Sequence, residues 1–181
     1  MDLVLTLKSK RSLNTEQCFR ARKAIEHLYY LATVAGTPKY AEDEDIWIGW
    51  VKLGFDTSLR EGPRGVPRLE RVRLETQVEP RYIEFRADAT NERSLKVIEE
   101  VFERLEAIKG SFQGKNDSER LEILSADENL AQMVLDPLVR VLGAHKNLRS
   151  EESQRIIRAG QDSLVWLTDN DIISFHVNEP G

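Results

Sequence analysis

Apolar positions recur at helical spacing from residue 14 onward, which predicts a first long helix. Its buried stripe is Cys18, Ala21, Ile25, Leu28 and Ala32. Asn14, followed three residues later by Gln17, forms the pattern of a capping box, and Gly36 marks the end. We therefore expect Cys18 to be a small core residue and not a reactive thiol.

Three further segments have helical spacing between a capping residue and a glycine. The second opens at Asn91, ends before Gly110 and buries a stripe of Leu95, Ile98, Phe102 and Leu105. The third starts at a capping box of Ser125 and Glu128 and runs towards Gly143, with an interruption at Asp136-Pro137. The fourth opens at Ser150 and is predicted to stop at Gly160.

Other stretches have the apolar runs or strict alternation of strands. They are 3–7, 46–55, 69–78, 82–87, 164–168 and 171–177. Segment 46–55 is apolar on both faces and predicts a central strand, whereas 69–78 alternates and predicts a half-solvated one. The pair 164–168 and 171–177 flanks Asp169-Asn170, which predicts a tight hairpin.

This order of elements predicts an α+β fold, with an antiparallel or mixed sheet covered by helices on one face. The first half has the βαββα order of a ferredoxin-like unit. We predict an α+β body at 1–110, followed at 111–181 by a helical segment and a C-terminal β-hairpin. The polar stretch 110–118 is the expected boundary, and a single compact domain is an equal alternative.

Charge and composition restrict the function classes. The formal net charge is −5 and Cys18 is the only cysteine, so long-range attraction to nucleic acid, an intramolecular disulfide and a CxxC metal site are excluded. No apolar run approaches the length of a membrane span. We expect a cytoplasmic protein with no membrane partner.

Two basic groups are the candidate binding residues. The first lies around the first helix, where residues 1–40 hold seven Lys or Arg against three Asp or Glu; the second is a loop rich in Gly and Pro with the strand after it. The candidates are Lys8, Lys10, Arg11, Arg20, Arg22, Lys23, Arg60, Arg64, Arg68, Arg71 and Arg73. Solvation of ordinary surface charges is the competing interpretation for both groups.

No pattern predicts catalysis, a metal or a cofactor. The acidic run Glu42 to Asp45 indicates a solvated entry to a strand, and the three histidines have no ligand-spaced partner. The tryptophans are expected to be core or interface anchors. Serine nucleophile elbows, P-loops and dinucleotide motifs are missing from the sequence.

The leading hypothesis is a non-catalytic interaction or regulatory protein, such as an adaptor, an inhibitor of the immunity type or a subunit of a multi-protein system. Its partner would be another protein, with a homo-oligomer as a compatible alternative. One alternative function is binding of RNA or single-stranded nucleic acid through the basic groups. Another is an enzyme whose acidic residues are assembled from distant positions. A short helix followed by a hairpin would also suit a winged-helix-like module, although residues 151–181 are too acidic to read DNA.

Overall fold

A computed structural model describes residues 2–8, 14–52, 69–75, 82–88, 92–169 and 174–178 of the chain. Side chains are described over 14–49, 93–133 and 136–169. The candidate residues Lys10, Arg11, Arg60, Arg64 and Arg68 therefore lie outside the described residues.

Eight α-helices are present in the described ranges. They are α1 (Thr15–Gly36), α2 (Pro38–Ala41), α3 (Glu44–Lys52), α4 (Glu92–Ile108), α5 (Asp117–Ala126), α6 (Glu128–Leu130), α7 (Asp136–Gly143) and α8 (Ser150–Asp169). A 3₁₀ turn at Lys109–Phe112 follows α4, and a π-helical segment at Ala131–Leu135 joins α6 to α7.

Four strands form an antiparallel sheet at the level of the backbone. They are β1 (Asp2–Lys8), β2 (Leu69–Glu75), β3 (Tyr82–Asp88) and β4 (Ser174–Asn178), in the order β2-β3-β1-β4. In register, Leu5 of β1 is paired with Phe85 of β3 and with Val177 of β4. The register of β2 against β3 shifts between Arg71 and Arg73, as at a β-bulge.

The prediction of an α+β fold with a ferredoxin-like first half is wrong for the part of the chain whose side chains are described. Helices of all types make up 86% of that part, and it contains no strand. The four strands lie outside it. Its hydrophobic core consists of helices packed on helices, with α1 in contact with α2, α4, α7 and α8. The described core is therefore that of a helical protein.

The central strand predicted at 46–55 is wrong, because residues 44–52 form α3. A run that is apolar on both faces has no period that separates a strand from a buried helix. The deciding signal was the acidic run before it: the Asp43 carboxylate accepts a hydrogen bond from the Asp45 backbone N–H at 3.1 Å, and Glu44 and Asp45 lie in the first turn. Acidic residues favour a helix start, because they oppose the positive end of the helix dipole.

The helix stop predicted at Gly160 and the C-terminal hairpin are also wrong. Helix α8 continues through Gly160 to Asp169, and β4 pairs with β1 instead of with 164–168. A Cβ atom at Gly160 would lie 3.0 Å from the Leu31 Cδ1 atom of α1. The glycine thus allows two helices to approach closely, and it is not a terminator.

Several predictions for the first helix and the core are confirmed. The Gln17 backbone N–H donates to the Asn14 Oδ1 atom at 2.8 Å, and the Asn14 N–H donates to the Gln17 Oε1 atom at 3.0 Å, so the capping box is present. Helix α1 ends at Gly36 as expected. Cys18 and Trp47 are buried, and so is the predicted stripe of α4.

The predicted interruption at Asp136-Pro137 takes the form of the π-helical segment. Proline has no N–H, and its ring would collide with the carbonyl four residues earlier in a regular α-helix. A wider i→i+5 turn before Pro137 avoids both problems. The capping box predicted at Ser125 is wrong, since Ser125 lies inside α5 and Asp127 caps α6.

The described helices include none that combines the length and apolar character needed to cross a membrane. Helices before and after residue 110 contribute to one hydrophobic core. The division at 110 itself remains a prediction.

Candidate functional groove

The structure places six of the predicted basic residues. Arg20, Arg22 and Lys23 lie on α1, Lys8 lies at the end of β1, and Arg71 and Arg73 lie on β2. In the sheet, β3 separates β1 from β2, so Lys8 and the two arginines of β2 are not on neighbouring strands. Whether these residues bind a ligand remains a prediction.

Two of the α1 residues already have partners within the protein. The Arg22 Nε atom lies 2.7 Å from the Glu26 Oε1 atom, and Glu26 is only 2% exposed. Arg22 therefore neutralises a buried carboxylate, whose removal from water would otherwise be costly. The Arg20 guanidinium lies 5.4 Å from the centre of the Trp166 ring, in cation–π contact that joins α1 to α8.

A cleft of about 490 Å³ opens where the second half of α1 faces α4 and the π-helical segment. Its apolar lining residues are Leu28, Leu31, Ala32, Ala35, Pro38, Val97, Ile98, Val101, Met133, Pro137 and Leu138. Polar groups are fewer, and they include Ser94, Gln132, Arg93 and Glu100. Mostly apolar walls with a few polar groups are typical of binding pockets of this size.

A second cleft of about 460 Å³ adjoins the first. The two share Ala35, Gly36 and Pro38 at the end of α1 and the start of α2, and the second is closed by Arg140 and His145. We call the two together the groove, and each cleft a lobe of it. The last turn of α1 thus forms a floor common to both lobes.

Local sequence features explain why a groove forms at this point. The last two turns of α1 carry Ala32, Ala35 and Gly36 at positions i, i+3 and i+4, so these three positions supply no large side chain to fill the space. On the opposite wall, the π-helical segment before Pro137 widens the backbone between α6 and α7. Small residues on one wall and a widened turn on the other leave the groove open.

Hydrogen bonds hold the wall of the second lobe in place. The His145 Nε2 atom lies 2.6 Å from the Ala41 carbonyl oxygen, which also accepts a hydrogen bond from the Trp47 Nε1 atom at 3.2 Å. Since a carbonyl only accepts, the His145 Nε2 atom is the donor in this contact. The Glu44 carboxylate accepts from the Asn147 backbone N–H at 2.7 Å and from its side-chain amide at 3.1 Å.

Arg93 and Arg140 differ from most other arginines whose side chains are described. Arg22, Arg104, Arg120, Arg149 and Arg158 each form an ion pair with a carboxylate. Within the described ranges, the side chains of Arg93 and Arg140 make no ion pair, hydrogen bond or ring contact. One lines each lobe of the groove, and both side chains are exposed.

The displaced pKa values belong to ion pairs that do not line the groove. Hydrogen bonds from the Arg104 guanidinium hold the pKa of Asp127 below its ordinary value, and Arg149 does the same for the pKa of Glu152. No three His, Cys, Asp or Glu side chains come together as a metal site in the described part of the chain. The groove therefore offers a ligand an apolar surface with charged side chains at its edge.

Sequence reasoning did not find the groove, because its walls come from residues that are far apart in the chain. Two signals were nevertheless present: the small residues Ala32, Ala35 and Gly36 at the end of a long helix, and a proline inside an apolar helical pattern. No family model, no curated protein and no solved structure matches this chain.

Proposed function

We propose that this chain is a non-catalytic interaction or regulatory protein that holds an apolar segment of a partner protein in the groove. The observation that carries the proposal is the groove itself: two adjoining lobes of about 490 and 460 Å³ with a common floor. Apolar surface that lies in a concave site gains free energy when a complementary apolar surface displaces its water.

The arrangement of polar groups supports binding of a segment of protein. Apolar residues line most of the groove, while Arg93, Glu100, Gln132 and Arg140 supply charge and polarity. An apolar centre with a polar edge is the usual composition of a protein interface. The cytoplasmic location and the lack of a cofactor remain predictions.

A site-specific cross-linking experiment tests this proposal. A photo-reactive p-benzoylphenylalanine replaces Gln132, which is exposed and lines the groove, or Gln154, an exposed glutamine of α8 that does not. The variants are expressed in cells of the organism whose genome encodes the protein. After irradiation, we expect a defined protein adduct from the variant at position 132 and none from the variant at position 154. Mass spectrometry of the adduct identifies the partner and its cross-linked segment.

A blocking variant provides the second arm of this experiment. Ala35 lines both lobes, so Ala35→Trp fills their common floor and is expected to abolish the Gln132 adduct. An adduct that persists in this variant, or one that forms equally at Gln154, contradicts the proposal. A cross-link to RNA instead of protein would favour the nucleic-acid alternative.

A further inference from the structure

We infer that the occupant of the groove is an amphipathic α-helix with both acidic and basic side chains beside its apolar stripe. This inference rests on the proposed function and specifies the chemistry of the partner. Arg93 and Arg140 would receive the acidic side chains, one at each lobe.

The backbone of the occupant gives the first argument. The groove is lined by the side faces of helices, by the short connection between α1 and α2 and by Ala144 and His145 after α7, with no strand edge among its lining residues. An extended peptide laid on such a surface would lose water from its N–H and C=O groups and gain few partners in return. A helix satisfies its own backbone groups and can therefore enter an apolar groove at low cost.

The floor of the groove gives the second argument. Ala32, Ala35 and Gly36 on one face of α1 are small; Ala35 and Gly36 line both lobes, and Ala32 lines the first. Ala32 and Ala35 are half-buried and Gly36 is exposed, so this face lacks a cover among the described residues. Two helices approach most closely where one of them presents small side chains. The floor therefore suits another helix packed along or across α1.

The charges at the edge of the groove give the third argument, because they indicate which charged side chains the helix must have. Arg93 and Arg140 are exposed and have no partner within the described ranges, and arginine binds carboxylates bidentately. Glu100 lines the first lobe and Glu42 the second, so each lobe presents both signs of charge. A matching helix has acidic residues that meet the arginines and basic residues that meet these two glutamates.

Selection from a displayed peptide library tests the inference. The full-length protein is the target, and the probe is a library of random peptides of about 20 residues, long enough for several helical turns. We expect enriched peptides with apolar residues at i, i+3 or i+4, and i+7, flanked by Asp or Glu on the side of the arginines and by Lys or Arg on the side of the glutamates. They should gain helical circular dichroism on binding, and a proline at their centre should abolish binding.

Matched variants place the bound peptide in the groove. Arg93→Glu and Arg140→Glu should each weaken binding about tenfold, whereas Arg155→Glu, an exposed arginine of α8 outside the groove, should leave it unchanged. Ala35→Trp should abolish binding. Gln132→Trp, which adds its bulk at the exposed edge, repeats this test in case the change at half-buried Ala35 impairs folding.

The outcomes separate this inference from the proposed function. Enriched peptides that Ala35→Trp blocks, but that are proline-rich or bind in an extended form, overturn the helical occupant and leave the groove as an interaction site. Binding that is insensitive to Arg93→Glu and Arg140→Glu overturns the acidic flank. If Ala35→Trp blocks none of the enriched peptides, or if no peptide is enriched, the result counts against both the helical occupant and the proposed function. A dimer that this variant dissociates shows that a second copy of the chain occupies the groove.

Discussion

Asp127 combines two stabilising roles in one side chain. Its Oδ1 atom accepts a hydrogen bond from the Leu130 backbone N–H at 2.9 Å, which caps α6. Its Oδ2 atom lies 2.7 Å from the Arg104 Nη2 atom, and the Arg104 Nε atom donates to both carboxylate oxygens. The side chain of Asp127 is 9% exposed and that of Arg104 is 33% exposed, so the carboxylate is largely withdrawn from water while the pair joins α4 to the start of α6.

Replacement of Asp127 by alanine should therefore cost about 1–2 kcal/mol of unfolding free energy at neutral pH. Asp127→Asn is the matched variant, since asparagine is also a good cap but cannot pair with arginine as an anion, and it should cost less. Urea unfolding monitored by circular dichroism measures both. An equal loss in the two variants would mean that the cap contributes nothing.

The pH dependence of the unfolding free energy lost in Asp127→Ala follows from the lowered pKa of Asp127. A carboxyl with a lower pKa in the folded state than in the unfolded state contributes its stability above about pH 4, the unfolded value. That contribution disappears as the pH falls through the folded-state value. The difference in unfolding free energy between wild type and Asp127→Ala should therefore narrow below about pH 4.

Single residues could be predicted from the sequence when their partners are close in the chain. The Asn14 and Gln17 cap depends on four consecutive positions, and the burial of Cys18 depends on the stripe around it. The Asp127 cap was misplaced at Ser125, because both residue types are good caps and the sequence does not rank neighbours. Its ion pair with Arg104 spans 23 residues, so no local pattern could indicate it.

At the scale of elements, α1 and α4 were foreseen because apolar residues recur at helical spacing in both, although residues 24–31 of α1 are buried on every side. Helix α3 was missed because its apolar residues occupy more than one face, and α8 was cut short because glycine is usually a poor residue inside a helix. The contact between Gly160 and Leu31 joins α8 to α1 and explains this exception.

Paired alanine variants measure this contact. A methyl group added at Gly49 of α3 would have no described atom within 4 Å, so Gly49→Ala should raise the unfolding free energy by up to about 1 kcal/mol. Gly160→Ala receives the same gain in helix propensity but must displace the Leu31 side chain, so it should gain less or lose stability. Gly160→Leu should lose about 1–3 kcal/mol.

Equal stabilisation by Gly49→Ala and Gly160→Ala would show that α1 and α8 are not in close contact at this point. Because Leu31 also lines the first lobe of the groove, Gly160→Leu should in addition weaken whatever binds there. Thermal and urea unfolding give the stabilities, and the library-derived peptides give the binding.

At the scale of the whole molecule, helices from both sides of residue 110 share one hydrophobic core. Trp47 on α3 is fully buried before this point, and Trp166 on α8 is partly buried after it. We predict a single cooperative unfolding transition, as small domains with one core usually show.

Tryptophan variants report separately on the parts of the chain before and after residue 110. Trp166→Phe leaves Trp47 and Trp50 as reporters of the first part, and the double variant Trp47→Phe with Trp50→Phe leaves Trp166. Each fluorescence transition in urea should coincide with the circular dichroism transition of the same variant. Fluorescence and circular dichroism midpoints that separate within one variant would instead support independent units at 1–110 and 111–181.

The groove could not be predicted from the sequence, because it depends on the packing of the whole molecule. Its walls combine α1, α4 and α7, whose mutual positions depend on how the whole core packs. The basic residues were found because charge can be counted along a chain. The sequence does not show whether a charged side chain has an ion-pair partner. The lack of such a partner distinguishes Arg93 and Arg140 from Arg22.

The π-helical segment at Ala131–Leu135 makes the groove sensitive to the length of the chain as well as to its composition. A turn closed from i to i+5 holds one more residue than an α-helical turn. Deletion of one residue there would rotate Met133 by about 100° relative to Pro137 and would bring the Pro137 ring against the carbonyl four residues earlier. A change of chain length by one residue in this segment should therefore move Met133 and reshape the wall of the first lobe.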